Sequence, residues 1–305
     1  MQIKPAFSAL CKETAHTCQL FGKGFVLMLK LKTPETMLLA AMLGLLALAL
    51  FGPLVTQPTD QHVFADQRMW QGIPFAMDVL SNLSFALWGL GGGLCLFALL
   101  KRTNPNTEHY LASLFLTGLV LTTATSTWYH LRPDDTGLGI DRLGMVIAFA
   151  GLLGMAIAGR ISHRAGTATA ASVLLLGPMS IWFWPTSANV LPWLVIQFGG
   201  MAIILWMAFS NPLRSVLAVR WGVVIAVYAI AKLFEAAHHQ IYTLTSHVIS
   251  GHSLKHLVAS FAAWPVVTAL SGALGRSQNK GRIHVTNSDE SAAHEYCGAK
   301  RTTSK

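Results

Sequence analysis

The sequence predicts an all-α, polytopic membrane protein with a seven-transmembrane-helix core and one extra N-terminal transmembrane helix. Of the 305 residues, 53% are hydrophobic and 11% are charged, whereas about 25% of the residues in a soluble globular domain are charged. The mean hydropathy is +0.50. Apolar runs of about 20 residues recur along most of the chain, and a helix of that length crosses a bilayer.

Eight apolar runs predict eight membrane-spanning helices, and the segments between them carry the proline, glycine and asparagine residues typical of connections. We place the spans at residues 36–55, 78–100, 110–130, 138–159, 167–184, 190–209, 218–236 and 252–274. The first run is interpreted as a membrane helix rather than a signal sequence, because its orientation agrees with the charges of the later connections and no clear small-residue cleavage site follows it.

Lysine and arginine are concentrated in alternate connections, which places both termini on the cytoplasmic side. The net charge of +9 follows from this asymmetry and does not require nucleic-acid binding. The predicted parts of the chain are a basic cytoplasmic N-terminal segment at 1–35, the extra transmembrane helix at 36–55, the seven-helix core at 60–275, and a polar, disordered cytoplasmic tail at 276–305.

Five polar residues stand out because they lie within or at the ends of predicted spans. Ser126 and His130 are four residues apart near the end of the third span, Asp141 lies near the start of the fourth, and His252 and His256 are four apart at the start of the last. A polar group at membrane depth costs several kcal/mol unless it has a partner, so each residue is a functional candidate. The predicted topology places all of them near the non-cytoplasmic interface.

These residue types predict a metal-centred hydrolytic site. Histidines at i and i+4 share one helical face about 6 Å apart along the axis, and a third histidine completes the ligand set of a catalytic zinc site whose fourth position holds water. We therefore predict that His130, His252 and His256 bind zinc. Asp141 would take a proton from the water, and Ser126 would hydrogen-bond the water or the developing oxyanion.

Each motif alone has a simpler interpretation. Paired helix-end histidines often hydrogen-bond at an interface, serine commonly packs membrane helices, and Asp141 beside Arg142 is typical of a plain ion pair. The common depth of all five residues favours the site. Two other functions remain open: a receptor-like or scaffolding membrane protein with structural zinc, and a b-haem electron-transfer protein with two axial histidines.

The same residues resemble the alkaline ceramidase-like families, and in particular their bacterial alkaline phytoceramidase branch. These families belong to a superfamily of seven-helix membrane hydrolases that includes the progestin and adiponectin receptors. The resemblance covers about residues 60–275. It rests on the stretches FADQRMWQGIPFAMDVLSNLSFALWGL, STWYHLRPDDTGLGIDRLGMVIAF, YAIAKLFEAAHHQIY and SGHSLKHLVASFAAW.

The resemblance implies zinc ligation by His130, His252 and His256, with Ser126 and Asp141 flanking the catalytic water. It implies hydrolysis of a ceramide amide to a sphingoid base and a fatty acid, with the lipid entering from the bilayer of a bacterial inner membrane. Eukaryotic members carry a dense acidic calcium-binding motif before and within the first core helix. This sequence has Asp66, Trp70, Asp78 and Asn82 there, so the resemblance leaves calcium dependence and the exact lipid open.

Other polar residues receive structural interpretations. We expect Asp78, Asn82 and Ser84 to form a buried hydrogen-bond network, and Lys232 to pair with Glu235 three residues later and support the site. The remaining histidines of the outer connection are expected to be solvated. The four cysteines are scattered and predict no disulfide framework. No protein partner is inferable.

Overall fold

A computed structural model of the chain describes residues 32–213 and 217–279. These residues are all-helical and contain no strand, apart from an isolated bridge between Trp70 and Ile73. Residues 1–31 of the predicted basic segment and residues 280–305 of the predicted tail lie outside the described residues. Within the described part, residues 33–35 are helical, and residues 276–279, which were predicted to be disordered, are helical as well. The described residues divide into two units with the boundary between Gly44 and Leu45, and all the candidate residues belong to the second.

Nine helices follow in chain order through the described ranges. They are α1 (Thr33–Phe51), α2 (Ala76–Leu100), α3 (Thr107–Leu131), α4 (Asp135–Ala158), α5 (His163–Ser187), α6 (Leu191–Phe209), α7 (Trp221–Ala236), α8 (His238–Leu244) and α9 (Gly251–Asn279). A π-helical turn at Val195–Gly199 lies within α6, and a 3₁₀ turn at Phe261–Ala263 lies within α9.

Each predicted span has a helix at its position, with ends that differ by up to about five residues. Seven of the described helices are long and apolar enough to cross a membrane, and this composition fits a multi-pass membrane protein. The helix α7 is shorter and counts as an eighth crossing only together with α8, to which it is bent by 78°. The eight-span prediction therefore depends on this bent pair.

Two boundaries differ from the prediction for physical reasons. Pro185 was expected to end the fifth span, but α5 continues to Ser187. Proline lacks the N–H that would bond to the carbonyl four residues earlier, so α5 continues past Pro185 with one backbone hydrogen bond fewer, as it also does past Pro178. The segment after residue 236 was expected to be a plain connection, but it forms the short helix α8.

Close packing of α3 against α4 fixes the positions of two candidate residues. A Cβ at Gly118 of α3 would lie 2.2 Å from the backbone nitrogen of Ala148, and a Cβ at Gly151 of α4 would lie 2.3 Å from that of Phe115. Glycine at both positions lets the two backbones approach, as small residues commonly do between membrane helices. His130 and Asp141 lie on this pair of helices.

Side-chain caps define where α4 and α9, the two helices that begin at the site, start. The Asp134 carboxylate accepts a hydrogen bond from the Gly137 N–H at the start of α4, at 2.6 Å. The Ser250 hydroxyl accepts one from the Ser253 N–H at the start of α9, at 3.0 Å. Because both caps satisfy N–H groups that lack an intrahelical partner, they place Asp141 in the second turn of α4 and His252 in the first turn of α9.

Candidate metal centre

The three predicted ligands converge as the sequence analysis expects. One ring nitrogen from each of His130, His252 and His256 lies within 4.8 Å of the others, and all three residues are buried. Nε2 of His130 is 3.3 Å from Nε2 of His252. This prediction is confirmed at the level of a group that could hold a metal ion; the identity of the ion is a separate question.

The separation of the His130 and His252 ring nitrogens fits a tetrahedral metal ion. Two ligand nitrogens at about 2.0–2.1 Å from one tetrahedral ion lie about 3.3–3.4 Å apart. Nδ1 of His256 is 2.9 Å from the Ser81 hydroxyl and 3.3 Å from the Asp78 carbonyl oxygen, which leaves Nε2 for a ligand. A second hydrogen bond of this kind fixes the orientation and tautomer of many metal-binding histidines.

Asp141 and Ser126 lie beside the histidines and line the same cavity as His252 and His256. The Oδ1 atom of Asp141 is buried and has no hydrogen-bond partner among the described residues. A buried polar atom without a partner is costly, so this oxygen is available to a water or a substrate. The two predicted catalytic residues are therefore brought together with the histidines.

The cavity is large enough for part of a lipid. It has a volume of about 420 Å³, within the usual range of about 300–1,000 Å³ for ligand pockets. Polar side chains occupy the part near the histidines. Much of the remaining wall is apolar and includes Phe115, Leu119, Met145, Phe149, Leu152 and Ile204.

Phe64 packs against the histidine cluster and was not singled out from the sequence. It is 2% exposed, and its ring lies edge-on to those of His130 and His252 at centroid distances of 4.7 and 4.8 Å. It comes from the irregular segment between α1 and α2. An aromatic side chain there limits the access of water to the ring nitrogens, and a single apolar residue in a loop gives no sequence signal for this role.

A hydrogen-bond network around Asp78 holds the start of α9 against α2. The Asp78 carboxylate accepts hydrogen bonds from the hydroxyls of Ser250 and Ser253, at 3.2 and 2.6 Å, and the Asn82 amide donates to the Asp78 carbonyl oxygen. The expected network involving Asp78 and Asn82 is confirmed, with Ser84 donating to the Ser81 carbonyl oxygen. Ser81 was not predicted, although it makes the direct contact with His256.

A charged network extends from the cluster into α7. The predicted ion pair of Lys232 and Glu235 is present, and Glu235 also pairs with Lys255 at 3.2 Å. Lys255 Nζ is 3.1 Å from Nε2 of His252. A metal ion bound to Nε2 of His252 would occupy the lone pair that faces Lys255. The Lys255 ammonium would then keep Glu235 as its partner. The role of Lys255 was missed, because a lysine between two histidines has no fixed meaning by spacing alone.

An ion pair ties the segment before α2 to the segment before α9. The guanidinium of Arg68 binds the buried Asp66 carboxylate, with Nε 2.8 Å from Oδ1, and also donates to the Val248 carbonyl oxygen. Burial alone would raise the pKa of Asp66, but the hydrogen bonds and charge of Arg68, helped by the Tyr242 hydroxyl, outweigh burial and hold the pKa below its usual value.

The other histidines of this region do not join the metal-binding group. His238 is half-buried, with its ring centroid 6.4 Å from that of His252, while His239 and His247 are exposed. Cys95 is the one free cysteine in the part of the chain that the structure describes, whereas Cys11, Cys18 and Cys297 lie outside it. The geometry of the site is therefore centred on His130, His252 and His256.

In comparisons with known proteins, the chain matches no protein-family model and no curated protein.

Proposed function

We propose that the protein is a zinc-dependent intramembrane hydrolase that cleaves the amide bond of a ceramide-like lipid to a sphingoid base and a fatty acid. The observation that carries the proposal is the convergence of three buried histidines beside Asp141 and Ser126 at a largely apolar cavity. The sequence resemblance to the alkaline ceramidase-like families adds the reaction and the substrate class.

The donor set favours zinc. Three histidines with room for a fourth ligand are typical of a catalytic zinc site, and a set without thiolates or clustered carboxylates does not favour copper(I), calcium or magnesium. When bound, the ion would polarise the scissile carbonyl and lower the pKa of a water molecule towards about 7. His130, His252 and His256 would hold it, with Ser81 orienting the His256 ring.

Asp141 and Ser126 would carry out the proton transfers and the hydrogen bonding of the reaction. The Asp141 carboxylate would accept a proton from the attacking water, whose oxygen forms the new bond to the amide carbon. Ser126 would donate a hydrogen bond to the water or to the oxyanion that develops. As the C–N bond breaks, Asp141 would return the proton to the departing nitrogen, which leaves as the amine while the acyl group leaves as the fatty acid.

The substrate would enter sideways from the bilayer, with its tails between the helices and its amide at the polar end of the cavity. The positive-inside charge pattern supports a position of this end near the non-cytoplasmic face, with both termini in the cytoplasm, and the resemblance to the bacterial branch supports a bacterial inner membrane. No nucleic acid or protein partner is needed.

The geometry gives less support to a b-haem site. Haem requires two histidines on opposite faces of a macrocycle, whereas Nε2 of His130 and His252 are only 3.3 Å apart and a third histidine faces both. A receptor-like protein with structural zinc predicts the same three ligands, so turnover is what separates it from a hydrolase.

The test combines metal analysis with product analysis on the purified protein. We expect about one zinc per chain, and release of fatty acid from at least one member of a panel of ceramides and other acylated amines, measured by mass spectrometry. His252→Ala should lose both metal and activity. Asp141→Asn should keep zinc but lose about 10²–10⁴-fold in rate, and Ser126→Ala should lose less.

The results of these measurements distinguish the hydrolase from the receptor-like protein and the b-haem protein. Bound zinc without turnover on any lipid amide would favour the receptor-like interpretation. An Asp141→Asn variant with near wild-type turnover would show that the proton transfer assigned to Asp141 is wrong. Haem absorption in the visible spectrum of the purified protein would replace the zinc assignment altogether.

A further inference from the structure

Arg142 has a hydrogen-bonding group that nothing in the described part of the chain satisfies. Its side chain lines the cavity and the residue is 6% exposed. One guanidinium nitrogen, Nη2, donates to Oε1 of Gln57 at 2.9 Å. The other, Nη1, is buried without a hydrogen-bond partner. The neighbouring Asp141 does not form an ion pair with it within the described residues, contrary to the simplest interpretation of the sequence.

The guanidinium is nevertheless held in place. Its central carbon lies 4.6 Å from the ring centroid of Trp184 and 5.5 Å from that of Trp193. Stacking on indole stabilises a guanidinium through cation–π attraction and leaves the N–H groups at its edge available. A planar donor fixed in this way loses little conformational entropy when it binds an acceptor. The arrangement is that of a preformed binding group.

The missing partner is expected to be an anion. A buried charge is costly unless it is paired and hydrogen-bonded, and the planar fork of arginine matches the paired oxygens of a carboxylate or a phosphate. Arg142 adjoins Asp141 in sequence, and both side chains line the same cavity. The headgroup of a lipid amide whose scissile bond reaches Asp141 would lie near these two side chains, whereas its acyl chain would occupy the apolar part.

We propose that Arg142 binds an anionic oxygen group, a carboxylate or a phosphate, on the amine half of the lipid amide. This inference rests on the proposed function and narrows it: among ceramide-like lipid amides, those with an acidic group on the amine half are preferred over a ceramide with an uncharged headgroup. Trp184, Trp193 and Gln57 position the guanidinium.

Binding is measured first, on the zinc-containing full-length protein and with probes that cannot be hydrolysed. N-(hexadecylsulfonyl)glycine carries the carboxylate, and its N-methylamide is a neutral match. Because hydrogen bonds to charged groups contribute about 1.5–3 kcal/mol, wild type should bind the acid about ten- to hundredfold more tightly. Arg142→Gln should bring this ratio close to one, and Arg142→Lys should retain part of it. Arg220→Gln should keep the wild-type ratio, because Arg220 is an exposed arginine stacked on Trp264.

Two competitors identify the source of the anion. Inorganic phosphate and palmitate should not displace the acidic probe at concentrations equal to its own. Displacement by phosphate would assign Arg142 to a free anion, and equal binding of palmitate would assign it to the fatty-acid product; either result would overturn the headgroup proposal. Equal binding of the acid and the N-methylamide by folded wild type would overturn it as well.

Hydrolysis is measured second. Together with the binding data, it distinguishes a failure of the hydrolase proposal from a failure of the Arg142 proposal. N-palmitoylglycine should be cleaved at least about tenfold faster than its N-methylamide by wild type, and this preference should vanish in Arg142→Gln. Cleavage of both lipids at equal rates would contradict the role of Arg142 while keeping the hydrolase. Arginine-dependent binding without cleavage of any lipid amide would contradict the hydrolase while keeping the binding site.

Discussion

Among the described residues, His256 is the one histidine of the cluster whose second ring nitrogen has a hydroxyl partner, and this difference can be tested. Ser81 Oγ lies 2.9 Å from its Nδ1, whereas Nδ1 of His130 is buried without a partner among the described residues. A hydrogen bond to the far nitrogen orients a ligand ring and sets its tautomer. The sequence pattern does not distinguish the three histidines, but in the structure they differ in the hydrogen-bond partner of the second ring nitrogen.

We predict that Ser81→Ala lowers zinc affinity by about 10–100-fold, the usual effect of removing such a partner. The matched control is Ser180→Ala, because Ser180 is also buried and donates to a carbonyl of its own helix, that of Gly177 at 2.7 Å. Zinc competition with a chromogenic chelator measures both variants. Equal affinities for the two variants would show that Ser81 does not position the ring.

Asp66 should make the stability of the protein depend on acid pH. Burial alone would raise its pKa, but Arg68 and Tyr242 outweigh burial and lower it. A carboxyl group with a lowered pKa in the folded state stabilises the fold above its unfolded pKa of about 4, and this contribution is lost as the pH falls through the folded value. Asp66→Asn should therefore melt below wild type at pH 7, with a smaller difference at pH 3.

Thermal unfolding in detergent at the two pH values measures this effect. Asp60→Asn serves as the control, since Asp60 is exposed in the same segment and should show little difference from wild type at either pH. A difference between Asp66→Asn and wild type that stays constant from pH 7 to pH 3 would contradict the assignment.

The site residues that the sequence predicts differ in polarity and location from those that it does not predict. The five predicted site residues are polar groups at membrane depth, where the energetic cost of burial makes them conspicuous. Phe64 and Ser81 contact the same histidines, but an apolar loop residue and a serine near a helix end are common without function. The role of Lys255 depends on its contacts with His252 and with Glu235, and Glu235 lies 20 residues away on another helix.

At the scale of elements, the pair α3 and α4 determines how His130 and Asp141 meet. The sequence predicts both helices from their apolar runs, and the structure places their starts and ends within about three residues of the prediction. The sequence alone does not reveal that Gly118 and Gly151 face the neighbouring backbone, because glycines that face open space look the same in the sequence. Gly91 and Gly93, for example, have no heavy atom within 4 Å of a Cβ built on them.

We predict that Gly118→Ala lowers the melting temperature and the zinc content together. Its Cβ would meet the Ala148 backbone at 2.2 Å, so the helices must move apart, and overpacking of this kind costs about 1–3 kcal/mol or more. Gly91→Ala is the matched control, because its Cβ would enter open space. The idea fails if Gly118→Ala and Gly91→Ala melt alike and hold equal amounts of zinc.

The bend between α7 and α8 is a feature that the hydrophobic pattern of the sequence does not predict. The apolar run at 218–236 predicts a span, and a helix is present at Trp221–Ala236, but the chain then turns by 78° into His238–Leu244. The turn brings Tyr242 within 3.4 Å of Asp66. Such a bend depends on contacts between segments far apart in the sequence, which a local pattern does not contain.

For the whole molecule, the depth argument was the most informative step from sequence to site. The alternating basic connections predicted that the end of α3, the start of α4 and the start of α9 share one side. The structure brings His130 and His252 into contact although 122 residues separate them. The same pattern does not establish whether α1 is an addition to the core, and that part stays a prediction.

The side of the membrane on which the site lies is the last prediction. Because basic residues favour cytoplasmic connections, the α3–α4 connection should face outward and the α2–α3 connection, which contains Lys101 and Arg102, should face the cytoplasm. Single cysteines at Thr136 and Asn104, both exposed, would be placed in a background without the native cysteines. A membrane-impermeant maleimide should label Thr136→Cys in intact cells and Asn104→Cys only after permeabilisation. The reverse labelling would invert the topology and place the metal centre at the cytoplasmic face.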